Sequence, residues 1–259
     1  SGPVVVDDRF SYNYIPMMNQ DLDHVIGPMN FSYGNFKVEP RFDADIGAVP
    51  MPPLSIFDIQ HTDDPSGDSP YLGQTVTTHG VVTAVEPGNN HIFIQDGNGP
   101  WSGITLWAPD AELVIGDLVE VSGEVNEWYG LTEIWPVYSI TVLNSGNQVP
   151  QPQVLATGDT DLEMWESVLV RYNNATVTDP DAGWGEWIID DNTGGAIVND
   201  LYTYTYVPEL NHRIAVITGP LNFTYGAFKI EPRNDADIRL KSGALFGLLQ
   251  QPAGQGVLD

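Results

Sequence analysis

The sequence contains no cysteine. That excludes disulfides, thiolate metal sites, thiol catalysis and covalently attached c-type haem. It leaves secretion open, because a protein can fold outside the cell without disulfides. Basic residues are scarce: 9 Lys and Arg face 35 Asp and Glu, a formal charge of −26. A field of that sign repels nucleic-acid phosphates and anionic membranes and favours solubility and cation binding. No stretch reaches the roughly 18 consecutive apolar residues of a membrane-spanning helix, so membrane insertion is not expected. Catalytic signatures are also missing. There is no HExxH or HxH pattern, no GxSxG elbow, no Walker loop and no GxGxxG between a strand and a helix. His24, His61, His79, His91 and His212 therefore read as structural or surface residues.

What the sequence does have is a repeat. Residues 27–46 read GPMNFSYGNFKVEPRFDADI, and residues 219–238 read GPLNFTYGAFKIEPRNDADI, with no gap. A weaker copy, GEVNEWYGLTEIWP, lies halfway between them at 123–136. Gly27, Gly123 and Gly219 share one register, as do Asn30, Asn126 and Asn222, the Tyr-Gly pairs 33/34, 129/130 and 225/226, and Pro40, Pro136 and Pro232. The spacing is 96 residues each time. That is too long for a solenoid turn, so each unit is expected to be a small domain. Pro-rich stretches at Val49–Pro53 and Val149–Pro152 read as stiff linkers. They divide the chain into residues 1–48, a second half of a unit; 49–146, a complete unit; 147–240, another complete unit; and a tail, 241–259.

Strand signals fill the units. In the middle one they fall at Gln74–Val85, His91–Gln95, Ile104–Trp107, Leu118–Val125 and Leu131–Leu143. Gly, Pro, Asn and Asp mark the turns. Pro109–Val114 is the one stretch expected to form a helical turn. The fold class is all-β, and five strands with a short helix before the fourth is the order of a small Greek-key barrel.

The middle unit resembles the OB-fold domain that secreted bacterial nucleases carry beside their catalytic domain. The residues responsible are Gly73…Gly80-Val81-Val82, Phe93-Ile94-Gln95-Asp96, Gly103-Ile104, Gly116-Asp117, Val119 to Val125 and Tyr129 to Ile134. The resemblance covers about 71–143. It weakens over 166–238, where Asn211-His212 replaces Gly116-Asp117. It implies tandem five-stranded OB-like barrels in an extracellular protein. In that family the nuclease chemistry sits in a separate domain, and no stretch here looks like it. One fold hosts many functions, so function does not follow from this likeness.

Acidic loops are the candidate sites. Asp63, Asp64 and Asp68 share the loop HTDDPSGDSP, and Asp7 and Asp8 follow a strand. Such oxygen-rich loops suit Ca²⁺, which takes 6–8 hard ligands; turn-forming or solvated carboxylates are the competing reading. Asp43 and Asp45 recur as Asp235 and Asp237. Lys37 and Arg41 recur as Lys229 and Arg233, with Glu39 and Glu231 between them, which points to local ion pairs rather than a phosphate clamp. Asn30, Asn174 and Asn222 each open a glycosylation sequon. The seven Trp residues read as core and linker cover, or as stacking platforms.

The first 48 residues supply only a third, fourth and fifth strand. A half-barrel exposes a sheet edge and an open core. The tail offers the apolar run Ala244, Leu245, Phe246, Gly247, Leu248, Leu249, and its Val257-Leu258-Asp259 resembles Ile188-Ile189-Asp190. Three explanations compete: the tail completes Val4, Val5, Val6 and the following strands of a neighbouring copy; the sequence is a window of a longer repeat protein; or the tail folds back on its own chain. The expected function is a non-enzymatic extracellular structural protein whose partners are other copies of itself, joined head to tail in a filament by inter-subunit strand complementation. The alternative is a nucleic-acid-binding or positioning module of a secreted nuclease.

Overall fold

The computed structural model describes residues 4–16, 20–48, 52–86, 88, 91–108, 111–159 and 163–241. The chain is all-β, as its patterning implies. The N-terminal unit contains β1 (Val5–Val6), β2 (Leu22–Val25), β3 (Met29–Ser32), β4 (Asn35–Val38) and β5 (Ile46–Ala48). A five-residue helix, α1 (Ile56–Gln60), opens the middle unit, which continues with β6 (Thr75–Val85), β7 (His91–Gln95), β8 (Gly103–Trp107), β9 (Leu118–Trp128) and β10 (Leu131–Asn144). The C-terminal unit has β11 (Gln153–Leu155), β12 (Leu169–Asn173), β13 (Thr176–Gly183), β14 (Glu186–Asp190), β15 (Gly195–Val198), β16 (Ile214–Thr224), β17 (Ala227–Ile230) and β18 (Ile238–Leu240).

In the middle unit the five strands close into a barrel in the order β10-β8-β7-β6-β9. β9 and β6 alternate buried and half-buried residues with period two, so one face of each fills the barrel. Val82, Ile92, Ile94, Ile104, Leu106, Val119, Val121 and Ile134 are fully or almost fully buried there. The turn expected at Pro109–Val114 falls partly outside the described residues, since Pro109 and Asp110 are not among them; the Ala111 N–H donates to the Ala108 carbonyl at 3.1 Å. A helix that sequence reading did not foresee, α1, precedes the first barrel strand. Ser55 caps it by accepting the Asp58 N–H at 3.1 Å, and Ile56 and Ile59, three apart on one face, pack into the same core.

The C-terminal unit follows a similar strand order, but its strands form one eight-stranded sheet rather than the closed five-stranded barrel expected of it. Asn174 (φ 59°) interrupts one long strand into β12 and β13. The sheet then runs β12-β16-β17-β15-β14-β13, and Thr176 bridges back to Arg213 just ahead of β16. β11 pairs with β12 in parallel, so the segment after Pro152 extends this sheet and is more than a linker. Trp187, Tyr172, Ile189, Val198, Leu221 and Ile230 form its core. The two complete units dock. Leu169 N–H donates to Gln95 Oε1 at 2.8 Å, Trp101 N–H to the Met164 carbonyl at 2.7 Å, and Arg233 Nη1 to the Thr83 carbonyl at 3.0 Å.

The N-terminal unit copies part of this, register for register. β1 pairs β4 in parallel, Val5 with Lys37 and Val6 with Val38; 192 residues on, Ile197 pairs Lys229 and Val198 pairs Ile230. β3 pairs β4 (Met29–Val38, Phe31–Phe36) as β16 pairs β17 (Leu221–Ile230, Phe223–Phe228). β2 pairs β5 as the start of β16 pairs β18, with an irregularity at the same place. Among the described residues no strand takes the places of β12, β13 and β14.

Candidate functional site: an open sheet face on the N-terminal unit

The consequence of those unfilled places is an apolar sheet face open to water. Phe36 is 65% exposed, whereas its counterpart Phe228 is 8% exposed. Met29 is 68% exposed against 0% for Leu221, and Val4 is 69% exposed against 1% for Ala196. Val5, Val6, Leu22 and Phe31 are exposed as well. The side chains are of the same kind and the strand registers agree; only the cover differs. Of the residues expected to mediate assembly, Val4, Val5 and Val6 thus lie on or beside this face. Ala244, Leu245, Phe246, Leu248, Leu249, Val257 and Leu258 lie outside the described residues.

The unit is nonetheless held together by the polar framework of its complete copy. Asn30 Nδ2 donates to Glu39 Oε1 at 2.6 Å, as Asn126 donates to Glu133 and Asn222 to Glu231, both at 3.2 Å. Burial pushes the Glu231 carboxyl up to about 7, against the lowering effect of Asn199, Asn222 and the Leu201 N–H. Arg41 grips Asp45 through Nε and Nη2, both at 2.8 Å, and Arg233 grips Asp237 in the same fork. Asp43 accepts the N–H groups of Asn13 and Tyr14; Asp235 accepts those of Thr205 and Tyr206. The repeated acidic residues are therefore chain anchors. Of the expected local ion pairs, those of Arg41 and Arg233 form, with Asp45 and Asp237 rather than with Glu39 and Glu231, while Lys37 and Lys229 pair with distant residues.

One pairing differs between the copies. Lys229 Nζ donates to Glu186 on β14. The N-terminal unit has no described counterpart of β14, and there Lys37 Nζ donates to Asp7 Oδ2 at 2.8 Å. The residue matching Asp7 is Asn199, whose amide donates to Glu231 at 3.0 Å. The Lys37 ammonium holds the Asp7 carboxyl below the usual carboxylate range.

The Ca²⁺ candidates do not converge. Asp7 is paired with Lys37, and the Asp8 N–H turns onto Asp7. Asp64 Oδ1 accepts the Ser66 N–H within its own loop, and Asp63 is exposed. Among the described residues no group of three or more His, Asp or Glu side chains is placed to hold a metal ion. The histidines pair with carboxylates or rings: His79 with Glu120 and His91 with Glu86, both at 2.8 Å, His212 with Glu209 at 3.2 Å, His24 with Asp23 at 3.1 Å, and His61 against Phe57 and Trp101. Trp128, Trp135 and Trp184 are exposed, and Trp187 is core.

A second feature escaped sequence reading. Asp68, Glu127, Glu163 and Glu166, spread over about a hundred residues, influence one another where the two complete units meet. Glu166 is buried, with Oε1 accepting the Thr132 N–H at 2.9 Å and Oε2 unpartnered. Burial, reinforced by Glu127 and Asp68, pushes Glu163 up to about 7; burial, with Glu163 beside it, holds Glu166 well above the usual carboxylate range. No local motif announces such a cluster, because docking creates it.

No protein-family model matches the chain. It is similar to an endonuclease of Bacillus subtilis, Endonuclease YhcR, with 28% identity over 200 residues. The match takes in 70% of this chain and 16% of that protein, so the chain spans a small part of its relative's length. Among solved structures it is similar to one described as the molecular basis for abrogation of activation of pro-inflammatory cytokines (TM-score 0.32, 13% identity, 66% of this chain and 93% of that one). It is also similar to the tetrameric p202 HIN2 crystal structure (TM-score 0.30, 13% identity, 62% and 90%).

Proposed function

We propose that this chain is a non-enzymatic, extracellular structural protein of tandem OB-like barrels, and that copies join head to tail into a filament through strand complementation. The open face of the N-terminal unit is the observation that carries this reading. Covering apolar side chains such as Val4, Met29, Phe31 and Phe36 stabilises by about 1.5–3 kcal/mol each. Several together offset the roughly 4–15 kcal/mol lost on association. Strand addition also satisfies edge N–H and C=O groups. The donor in this reading is the segment 241–259 of a neighbouring copy.

Electron microscopy and sedimentation velocity of the full chain test it, alongside a variant ending at Leu240. The full chain is expected to form concentration-dependent polymers; the truncated one should stay monomeric with its two barrels folded. A full chain that stays monomeric at high concentration, or a truncated chain that polymerises identically, overturns the proposal.

The similarity to the endonuclease favours a second reading, a nucleic-acid-binding or positioning module within a larger nuclease. The charge of −26 opposes it. Titration with single-stranded DNA at low salt separates the two. Micromolar or tighter binding that disappears as salt rises selects the second.

A further inference from the structure

Lys37 and Asp7 say what kind of strand the open face accepts. In the complete copy, β14 lies antiparallel to β15: Trp187 faces Val198, Ile188 faces Ile197, and Ile189 faces Ala196. β14 brings Glu186, the partner of Lys229. An incoming strand that copied β14 would bring a carboxylate to Lys37. That lysine is already neutralised by Asp7, at the position where the complete copy has Asn199. A strand that carries no charge at the Glu186 place fits better, because a second carboxylate there would face Asp7 with no cation left to share.

Residues 242–259 meet this requirement. Aligning Val257-Leu258-Asp259 with Ile188-Ile189-Asp190 puts Gln255 at the Glu186 place. The segment has no charged side chain before Asp259, in a protein with 35 acidic residues. A neutral strand can be buried without the desolvation cost that a charged one carries. Its 18 residues also exceed the 15 of Thr176–Asp190, the stretch that spans β13 and β14.

We infer that Gln255–Asp259 of a second copy lies antiparallel to Val4–Val6, with Leu258 opposite Val4 and Val257 opposite Val5, and that Asp7 supplies the counter-charge to Lys37 that the donor omits. The inference rests on the strand-complementation reading and fixes its partner and register.

The absence of native cysteine gives a direct test. Copies carrying Val4→Cys are mixed with copies carrying Leu258→Cys and oxidised mildly. Directly opposite residues lie within about 5.5 Å, inside disulfide reach. A one-residue shift turns the side chain to the other face, so Val5→Cys with Leu258→Cys is the control. The first pair is expected to cross-link at least about tenfold more than the control. A stronger control cross-link overturns the register. Polymers without either cross-link overturn the donor segment while leaving assembly intact. No association by sedimentation removes the underlying reading instead.

A charge exchange tests the chemistry. Asp7→Asn is expected to weaken association at least about tenfold, by leaving Lys37 unpaired against the donor. Adding Gln255→Glu, which recreates the Asn199 and Glu186 arrangement, is expected to restore it. Unchanged association in Asp7→Asn, or a double variant no better than the single one, overturns the role given to Asp7.

Discussion

Glu166 crosses the boundary between the middle barrel and the C-terminal sheet to accept the Thr132 N–H at 2.9 Å, and its other oxygen is buried without a partner. Glu163 stands beside it with its carboxyl pushed from about 4.5 to about 7. Glu231, buried in the C-terminal core, is also pushed up to about 7. In each case the folded state keeps a proton that the unfolded chain releases. Stability must therefore fall as pH rises from about 4.5 to about 7, since the folded state binds more protons across that window. Melting temperatures at pH 5 and pH 7.5 are expected to show the lower value at pH 7.5. Glu163→Gln should raise the pH 7.5 value and narrow the gap. A melting temperature that climbs toward neutrality would refute the argument.

The same boundary depends on a glycine. A Cβ on Gly103 would lie 2.2 Å from the Ser167 carbonyl oxygen. Close by, Thr105 and Ser167 share a hydroxyl hydrogen bond of 2.8 Å. Gly103→Ala is expected to force the two units apart at a cost of about 1–3 kcal/mol. Calorimetry should then resolve two transitions where the parent gives one. A single unshifted transition would mean that the contact is dispensable.

Phe36 and Phe228 allow the same substitution to be made in two settings. Each packs against a neighbouring phenylalanine, Phe31 at 4.9 Å and Phe223 at 4.7 Å between ring centroids. Phe228→Ala empties a covered core and is expected to cost about 3–5 kcal/mol. Phe36→Ala, on the open face, should change monomer stability by no more than about 0.5 kcal/mol. It should still reduce polymer formation, because the ring is part of what a donor covers. Equal losses of stability would show that the N-terminal face is already covered.

Much of this architecture was legible because the repeat records backbone constraints. Gly27 and Gly219 recur because a Cβ there would lie 2.3 Å from the carbonyl of Glu39 or Glu231, where the fourth strand crosses the fifth. The Tyr-Gly pairs recur because Tyr33, Tyr129 and Tyr225 and their glycines adopt positive φ in a hairpin turn. Strand spans in the middle unit followed from β-branched runs and turn residues. What stayed hidden depends on packing. The helix at Ile56–Gln60 is too short to show a period, and only its place under the barrel makes Ile56 and Ile59 core residues. Sequence shows that Asp43 and Asp45 recur but does not reveal that they are consumed by Asn13, Tyr14 and Arg41. The Asp7 for Asn199 exchange gains meaning only when Lys37 and Lys229 are seen to take different partners.

The three sequons separate on the same structural grounds. Asn222 is buried, its Nδ2 donating to Glu231. Asn30 is half-buried, its Nδ2 2.6 Å from Glu39. Asn174 is exposed and sits at φ 59°, a left-handed conformation that Asn tolerates. Only the Asn174 amide points to a place where a glycan costs no buried hydrogen bond. Expression in a glycosylating host is therefore expected to modify Asn174, and intact-mass and peptide analysis should find Asn222 bare. Asn222→Ala should destabilise by about 1–3 kcal/mol, because Glu231 loses a donor inside the core. Asn174→Ala should remove the glycan with a smaller loss, limited to the strain of a Cβ at positive φ. A glycan on Asn222 in folded protein would mean that the Asn222–Glu231 pair is not formed when the chain is modified, and that its register is set later than its neighbours.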